Sequence, residues 1–366
     1  MRAFDVVIVG GGMVGCSTAI ALRRAGLSVA IVDRSGGGRG ASAVNFGGVR
    51  QHGRKLEELA LAIRARRIWD DLPALIGTDG EFVRSGHLYV APDEAAMAWL
   101  ERFHADATGY GVDTELLTPA ALRELCPWIG GDMAGGSLCR DDGHANPRLV
   151  AAAFIRTATG LGAELITATV TALVPIEGGL AVESDGAPLR AGTVVNAANA
   201  GASALAQALG DRIDVAVVAP TCMVTEPLPP LIAHNVGVIG GDLGLRQVAR
   251  GNVVIGGGHS RADMQNARAE PLSETCAVVL RSAARWAPAL AQARLLRSWA
   301  GLETVTADHL PVIGWSPRAK NLIHAFGFSE HGFEIAPAAG EAIAELITIG
   351  RTTVPIEALS PARFAA

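Results

Sequence analysis

Val6-Val7-Ile8-Val9-Gly10-Gly11-Gly12-Met13-Val14-Gly15 is an apolar run that breaks into glycine. Four apolar, β-branched residues in a row read as a buried strand. Met13 to Arg24 has helical character and stops before Gly26. Val29-Ala30-Ile31-Val32 is a second apolar run, closed by Asp33. The three pieces form a βαβ unit, and its apolar strands suit a parallel sheet covered on both faces. The glycines match G-x-G-x-x-G, and each has its own task. Gly10 turns out of the strand, Gly12 lets a pyrophosphate approach the backbone, and Gly15 lets helix and strand pack closely. The helix start, at Met13 and Val14, offers N–H groups and a positive dipole end to phosphate. Asp33 lies 18 residues after Gly15, where an acid accepts hydrogen bonds from ribose hydroxyls. The unit reads as a dinucleotide site.

The rest of the chain bounds what surrounds this unit. Its 366 residues predict two domains. Hydrophobic residues at 49% and charged residues at 18% provide a full core and exclude disorder. The net charge of −5, with no basic run, argues against nucleic-acid binding. The five cysteines are scattered and never spaced C-x-x-C, so neither a disulfide framework nor a metal site is expected. The reducing cytosol fits that usage. No apolar run reaches a membrane span. Near the N-terminus, Asp5 and the glycines from Gly10 interrupt any signal-like segment. Two biases remain: 44 glycines, and only two lysines, Lys55 and Lys320.

Residues 35–54 are rich in Gly, Ser, Arg and Asn without periodicity, the mark of a functional loop. Helices are predicted over about 56–72 and 93–109, from Thr118-Pro119, and over 148–159 after Asn146-Pro147. Strands are predicted at 163–168, 170–175, 180–183 and 193–196. From Val215 to Ile255 the pattern becomes antiparallel, with Gly251-Asn252 between two strands. A helix is predicted at 273–286 and an apolar one at about 338–349, after Pro337.

A second glycine-rich segment far along the chain favours FAD over a nicotinamide cofactor, because FAD is long and its flavin end needs distant contacts. Four segments then resemble the D-amino acid oxidase family of FAD-dependent oxidoreductases, in the branch of glycine oxidase, sarcosine oxidase beta subunits, and opine and proline dehydrogenases. They are Val6–Arg34, Gly40–Arg50, Thr193–Gly201, and Asp308–Gly314 with Ala325–Phe333. The resemblance covers nearly the whole chain. It implies an α/β fold: a Rossmann-like FAD-binding domain of glutathione-reductase type with an inserted α+β substrate domain on an antiparallel sheet. The expected division is 1–85, 140–214 and 300–366 for FAD, and 86–139 and 215–299 for substrate. The resemblance places Arg34, Ser42, Asn45, Gly47, Gly48 and Ala198 at the cofactor, with Val170 at its adenine. It also places Gly327, Phe328, Ser329, Glu330, His331, Gly332 and Phe333 there, at the flavin. Their small residues let N–H groups approach the flavin, and the helix after Pro337 aims its dipole there. Two departures stand out. Asn199-Ala200 replaces a glycine and a bulky residue, and Glu330 replaces a glycine. A carboxylate at 330 opposes negative charge on the flavin unless it points away or pairs with a cation. No cysteine lies in the last segment, and the surroundings of His144 do not match a covalent site, so FAD is expected to be non-covalent.

The resemblance implies oxidation of a C–N bond in an amino acid or secondary amine of sarcosine, proline, D-amino acid or opine type. The α-hydrogen leaves as hydride to flavin N5, and the imine hydrolyses. Arg50 is the expected carboxylate anchor, since a guanidinium binds carboxylate through two bonds; the alternative is surface pairing with Glu57 or Glu58. Glu334 is either structural or faces the substrate and selects a positive group. Neither lysine matches the family's oxygen-activating position, which tilts the reading toward a dehydrogenase passing electrons to a quinone or partner protein rather than O2, as a subunit of a larger assembly. His259 or Arg261 could supply a cation instead. His52, Arg246 and Gln247 are weaker candidates. The rivals are 2-hydroxy acid or polyol oxidation, which needs a histidine base, an electron-relay subunit, and a nicotinamide dehydrogenase.

Overall fold

The computed structural model describes every residue except 242, 265 and 366. The first strand, Arg2–Val9, lies between Val29–Asp33 and Leu189–Asn196, parallel to both. The sheet extends through Glu164–Thr167 on one side and Leu322–Phe326 then Val312–Trp315 on the other. The last pair is antiparallel. Side chains alternate across the sheet. Val6, Ile8, Val29 and Ile31 join one buried cluster, whereas Val7, Val9, Ala30 and Val32 join another. Both faces are therefore dry, as the apolar strands require.

Helices Met13–Arg24, Pro147–Gly160 and Gly332–Thr348 cover the first face. Ser17 Oγ donates to Pro337 O at 3.0 Å, and a Cβ on Gly340 would sit 2.4 Å from that hydroxyl. The hairpin Val170–Ile176 and Gly179–Ser184 packs apolar residues into the second cluster.

A second eight-stranded sheet runs in the order Leu295–Ala300, Pro220–Pro227, Asn252–His259, Leu243–Gln247, Asn235–Val238, His87–Ala91, Gly135–Cys139 and Glu115–Leu117. It is antiparallel except where Asn235–Val238 meets His87–Ala91. Helix Ser273–Trp286 buries Val279, Ala283 and Trp286 against it. The whole is the mixed α/β architecture expected: a largely parallel sheet and a largely antiparallel one.

Three element boundaries differ from expectation. The last helix begins at Gly332, six residues early, with Pro337 inside it. Proline there forfeits one intrahelical bond, but burial of Phe333, Ile335, Ala336, Ala339 and Ile343 holds the turn together. The helix expected at 56–72 ends at Asp70, and a short one, Leu72–Ile76, follows; Pro73 cannot continue the first. Gly251, at φ +92°, closes its turn, and Asn252 already belongs to the strand.

Candidate active site

The three glycines divide between tight backbone packing and open space. A Cβ on Gly10 would lie 2.3 Å from Ala197 O, and on Gly15 2.0 Å from Gly10 O. Their size is demanded by the fold. At Gly12 the nearest atom is only Ser42 Oγ, at 3.1 Å, and the residue faces a cleft of about 300 Å³. The open side of Gly12 thus faces the cleft. The first intrahelical bond is Cys16 N–H to Gly12 O, which leaves the preceding N–H groups without intrahelical partners. That of Met13 donates to Ser42 Oγ at 2.9 Å.

Gly10, Gly12, Met13, Val14, Gly15 and Asp33 all line this cleft. So do Arg34, Ser42, Asn45, Ala198, Phe328, Gly332 and Phe333. Asp33 Oδ1 accepts from Ser35 N–H, Ser35 Oγ and Gly37 N–H, and Oδ2 from Gly11 N–H. Burial raises its pKa, but these bonds outweigh burial and hold it below the usual carboxylate range. Asp33 therefore ties the loop after the second strand to the glycine turn while facing the cleft. Val170, Gly327, Ser329 and His331 do not line it. Val170 packs beside the cluster under the sheet. Ser329 is buried against Thr306, and its N–H donates to Thr304 O. The glycine turn, the open helix start and a cleft running on to the N-terminus of helix Gly332–Thr348 fit an extended dinucleotide.

A second chamber of about 300 Å³ adjoins the first, and Val44, Asn45, Gly301, Glu303 and Phe333 belong to both. Gly47, Gly48, Arg50, Arg54, His87, Tyr89 and Glu330 line only the chamber. Its ceiling is the second sheet, kept thin by Gly237, Gly244 and Gly256. The Phe46 ring lies against the last two, within 3.2 and 2.8 Å of where a Cβ would stand.

Arg50 Nη1 donates to His52 O at 2.6 Å, and its guanidinium lies over the Tyr89 ring at 5.7 Å. Among the described residues it forms no ion pair with Glu57 or Glu58. Arg54 has 3% exposure; Nε donates to Arg50 O, Nη2 lies 3.6 Å from Glu334 Oε2, and Nη1 has no hydrogen-bond partner. Glu334 is fully buried behind the wall, with neither oxygen hydrogen-bonded, and burial raises its pKa well above the usual range. It faces Arg54, not the chamber. His331 Nδ1 is 2.8 Å from Glu58 Oε1, close but out of line for a hydrogen bond. Burial pulls that imidazole down to about 4.

The remaining candidates also have definite places. His52 is fully buried behind the wall, against His87, Tyr89 and Phe103, and burial lowers it to about 3. Arg246 donates to Phe46 O at 2.6 Å and lies over the Phe46 ring, bracing the loop rather than lining the chamber. Gln247 accepts from Leu231 and Ile232 N–H, away from both cavities. Arg261 faces Glu270 at 3.9 Å. Lys55 donates to Asp308 O, and neither lysine lines a cavity. His259 Nε2 lies 3.2 Å from Glu330 Oε1, each about half exposed. The carboxylate at 330 thus has a histidine partner, 71 residues away in sequence.

The family model described as "FAD dependent oxidoreductase" (DAO) matches residues 5–346. The chain belongs to this family. It is 26% identical to the beta chain of sarcosine oxidase from Rhodobacter capsulatus, over 97% of this chain and 87% of that one. It is 27% identical to an opine oxidase subunit of Rhizobium meliloti, over 100% and 98%. The crystal structure of L-proline dehydrogenase from P. horikoshii superposes with a TM-score of 0.93 at 28% identity, covering 100% and 98%. This member of the family is therefore an FAD-dependent oxidoreductase related to amine and amino acid oxidases. Among its described residues no helix is long and apolar enough to cross a membrane. None of them forms a group of three or more His, Cys, Asp or Glu able to hold a metal ion.

Among the chamber residues that went unread in the sequence are Arg54, His87 and Glu303. Arg54 sits at the mouth of a helix and His87 and Glu303 on ordinary strands, so no spacing distinguishes them. Glu303 opens the polar strand Glu303–Thr306, whose sequence carries no signal of a site.

Proposed function

We propose that this chain oxidises the C–N bond of a small amino acid or secondary amine, of sarcosine, proline, D-amino acid or opine type, with non-covalent FAD. Bound FAD supplies a two-electron acceptor for the substrate's α-hydrogen and its electron pair. The observation that carries the reading is the pair Arg50 and Arg54 on the wall of the chamber next to the cleft. Arg50 lacks a carboxylate partner among the described residues, and Arg54 keeps Nη1 unpartnered. A substrate carboxylate would pair with Arg50, and the sealed Arg54 adds positive potential behind it. The low dielectric of the chamber strengthens that pairing. The N-terminus of helix Gly332–Thr348, at Gly332 and Phe333, faces the cleft and favours negative charge there.

The absence of a lysine on either cavity supports a dehydrogenase, with a quinone or partner protein as acceptor in place of O2. Two relatives are named as subunits, which supports a place in a hetero-oligomer. Sheet membership supports segments 1–85, 140–214 and 300–366 as the FAD domain and 86–139 with 215–299 as the substrate domain.

The test is anaerobic bleaching of the flavin by glycine, sarcosine, L-proline, D-alanine and an opine, followed by reoxidation with air or with a dye. Bleaching by an amine, then reoxidation by dye alone, is the expected result. A chain that binds FAD but is bleached by no amine would overturn the reading and favour an electron-relay role. A second reading, oxidation of a 2-hydroxy acid or polyol, rests on His87. It lines the chamber, both its ring nitrogens lack partners though they are sealed from solvent, and burial keeps it neutral, the state a general base requires. Bleaching by lactate or glycerol phosphate in preference to the amines would select it.

A further inference from the structure

Amine oxidation requires the nitrogen lone pair, yet amino acids and secondary amines are ammonium ions at neutral pH. Some group must receive that proton. The geometry points to Glu303 as the proton acceptor for the substrate's ammonium group, an inference that rests on the amine-oxidation reading. Glu303 is one of five residues shared by the cofactor cleft and the chamber, so its side chain stands where bound cofactor and bound substrate would meet. Arg50 and Arg54 line the chamber alone. The chamber therefore offers cations for a carboxylate and, at the cofactor boundary, a carboxyl that becomes an anion for an ammonium as the pH approaches 8. That polarity matches an amino acid zwitterion.

The groups facing Glu303 come from three elements. Glu330, on the turn after strand Leu322–Phe326, has φ +66°, and its backbone N–H favours the ionised form of Glu303. His259, at the end of strand Asn252–His259, pairs with Glu330. Cys222, on strand Pro220–Pro227, lines the same chamber and senses both carboxylates. The strand Val215–Val218, paired with Glu303–Thr306, and the turn Asn199–Gly201 contribute no titratable side chain. Burial, with Glu330 adding to it, pushes Glu303 up to about 8. A base at that level is far better matched to an ammonium than an ordinary carboxylate is.

The step balances simply. The N–H bond of the substrate breaks and an O–H bond forms on Glu303. The bonding pair stays on nitrogen as the lone pair, which then supports departure of the α-hydrogen with its electrons to the family's FAD. Glu330 and His259, both half exposed, lead from Glu303 to solvent and offer the proton a way out.

The experiment uses the FAD-loaded full chain and whichever amine bleaches the wild-type flavin. If none does, the amine reading itself fails, and that failure is visible before any variant is made. With an amine in hand, anaerobic bleaching is followed against pH for wild type and Glu303→Gln. At pH 8, where Glu303 is substantially ionised, the variant should be slower by at least about 100-fold. It should recover as pH passes the substrate's own ammonium pKa, because free neutral amine no longer needs the base. Acetate and propionate, carboxylates without nitrogen, should perturb the flavin spectrum of both proteins with binding constants equal within about twofold. A uniform loss at every pH, or an unchanged profile, would overturn the assignment. Should Glu303→Gln fail to hold FAD, Glu330→Gln carries the test: it removes the charge that raises Glu303 and should move the acid limb to lower pH. An unmoved limb would overturn the assignment equally.

Discussion

Replacing Gly12 by alanine separates the needs of the fold from those of the cofactor. In the protein alone the new methyl meets only Ser42 Oγ, at 3.1 Å, the end of a side chain that can give way. Gly12 is also the N-cap of the first helix, where alanine is a poorer residue by about 1 kcal/mol. In a chain of this size the melting temperature of the apoprotein should fall by no more than about 2 °C. FAD meets a different situation. A methyl on the open side of Gly12 holds the pyrophosphate off the helix N-terminus and costs one or two charge-assisted hydrogen bonds, each about 1.5–3 kcal/mol. A loss of about 3 kcal/mol is about 100-fold in Kd. Titration of apoprotein with FAD, followed by quenching of flavin fluorescence, measures it. Gly15→Ala is the contrast. Its methyl would lie 2.0 Å from Gly10 O, backbone against backbone, so affinity and melting temperature should fall together. A Gly12→Ala protein that binds FAD within threefold of wild type, or that melts as early as Gly15→Ala, would refute the reasoning.

Two further predictions address the chamber wall. Arg50→Ala should raise KM for any carboxylate-bearing substrate at least tenfold, about 1.4 kcal/mol, with a smaller effect on kcat; an unchanged KM removes Arg50 from the site. Glu334→Gln should change stability by less than about 1 kcal/mol near pH 5, because burial already keeps the carboxyl protonated beside Arg54. Above the ordinary value of 4.5 the unfolded carboxyl loses its proton while the folded one retains it. The native state then binds more protons, so wild-type stability falls as pH rises, and glutamine abolishes that slope. Denaturant titrations from pH 5 to 8 test this; a loss of about 3 kcal/mol or more at all pH values would show an ionised Glu334 paired with Arg54.

The cofactor side of this protein is far more legible in sequence than the substrate side. Gly10, Gly12 and Gly15 act within one βαβ unit, so their spacing along the chain already encodes their spacing in space. Proline is harder to place. Pro337 reads as a helix boundary, yet the buried face around it carries it inside a helix. Pro73 instead sits in the first turn of a new short helix, where its missing N–H costs nothing. His52 and Glu334 are sound candidates by residue type and neighbourhood, yet both are sealed behind the wall they were expected to form.

Sequence alone determined the family, the βαβ unit, and the glycine turn with Asp33, because these are local or rest on motifs that survive at 26–28% identity. Tertiary structure decided which charges share the chamber. Arg50 and Arg54 come from the loop before one helix, His87 and Glu303 from strands of two different sheets, and Glu330 from a turn that meets His259 at a strand end 71 residues away. Their chemistry depends on burial and on distances across the chain, and neither quantity is carried by spacing along it.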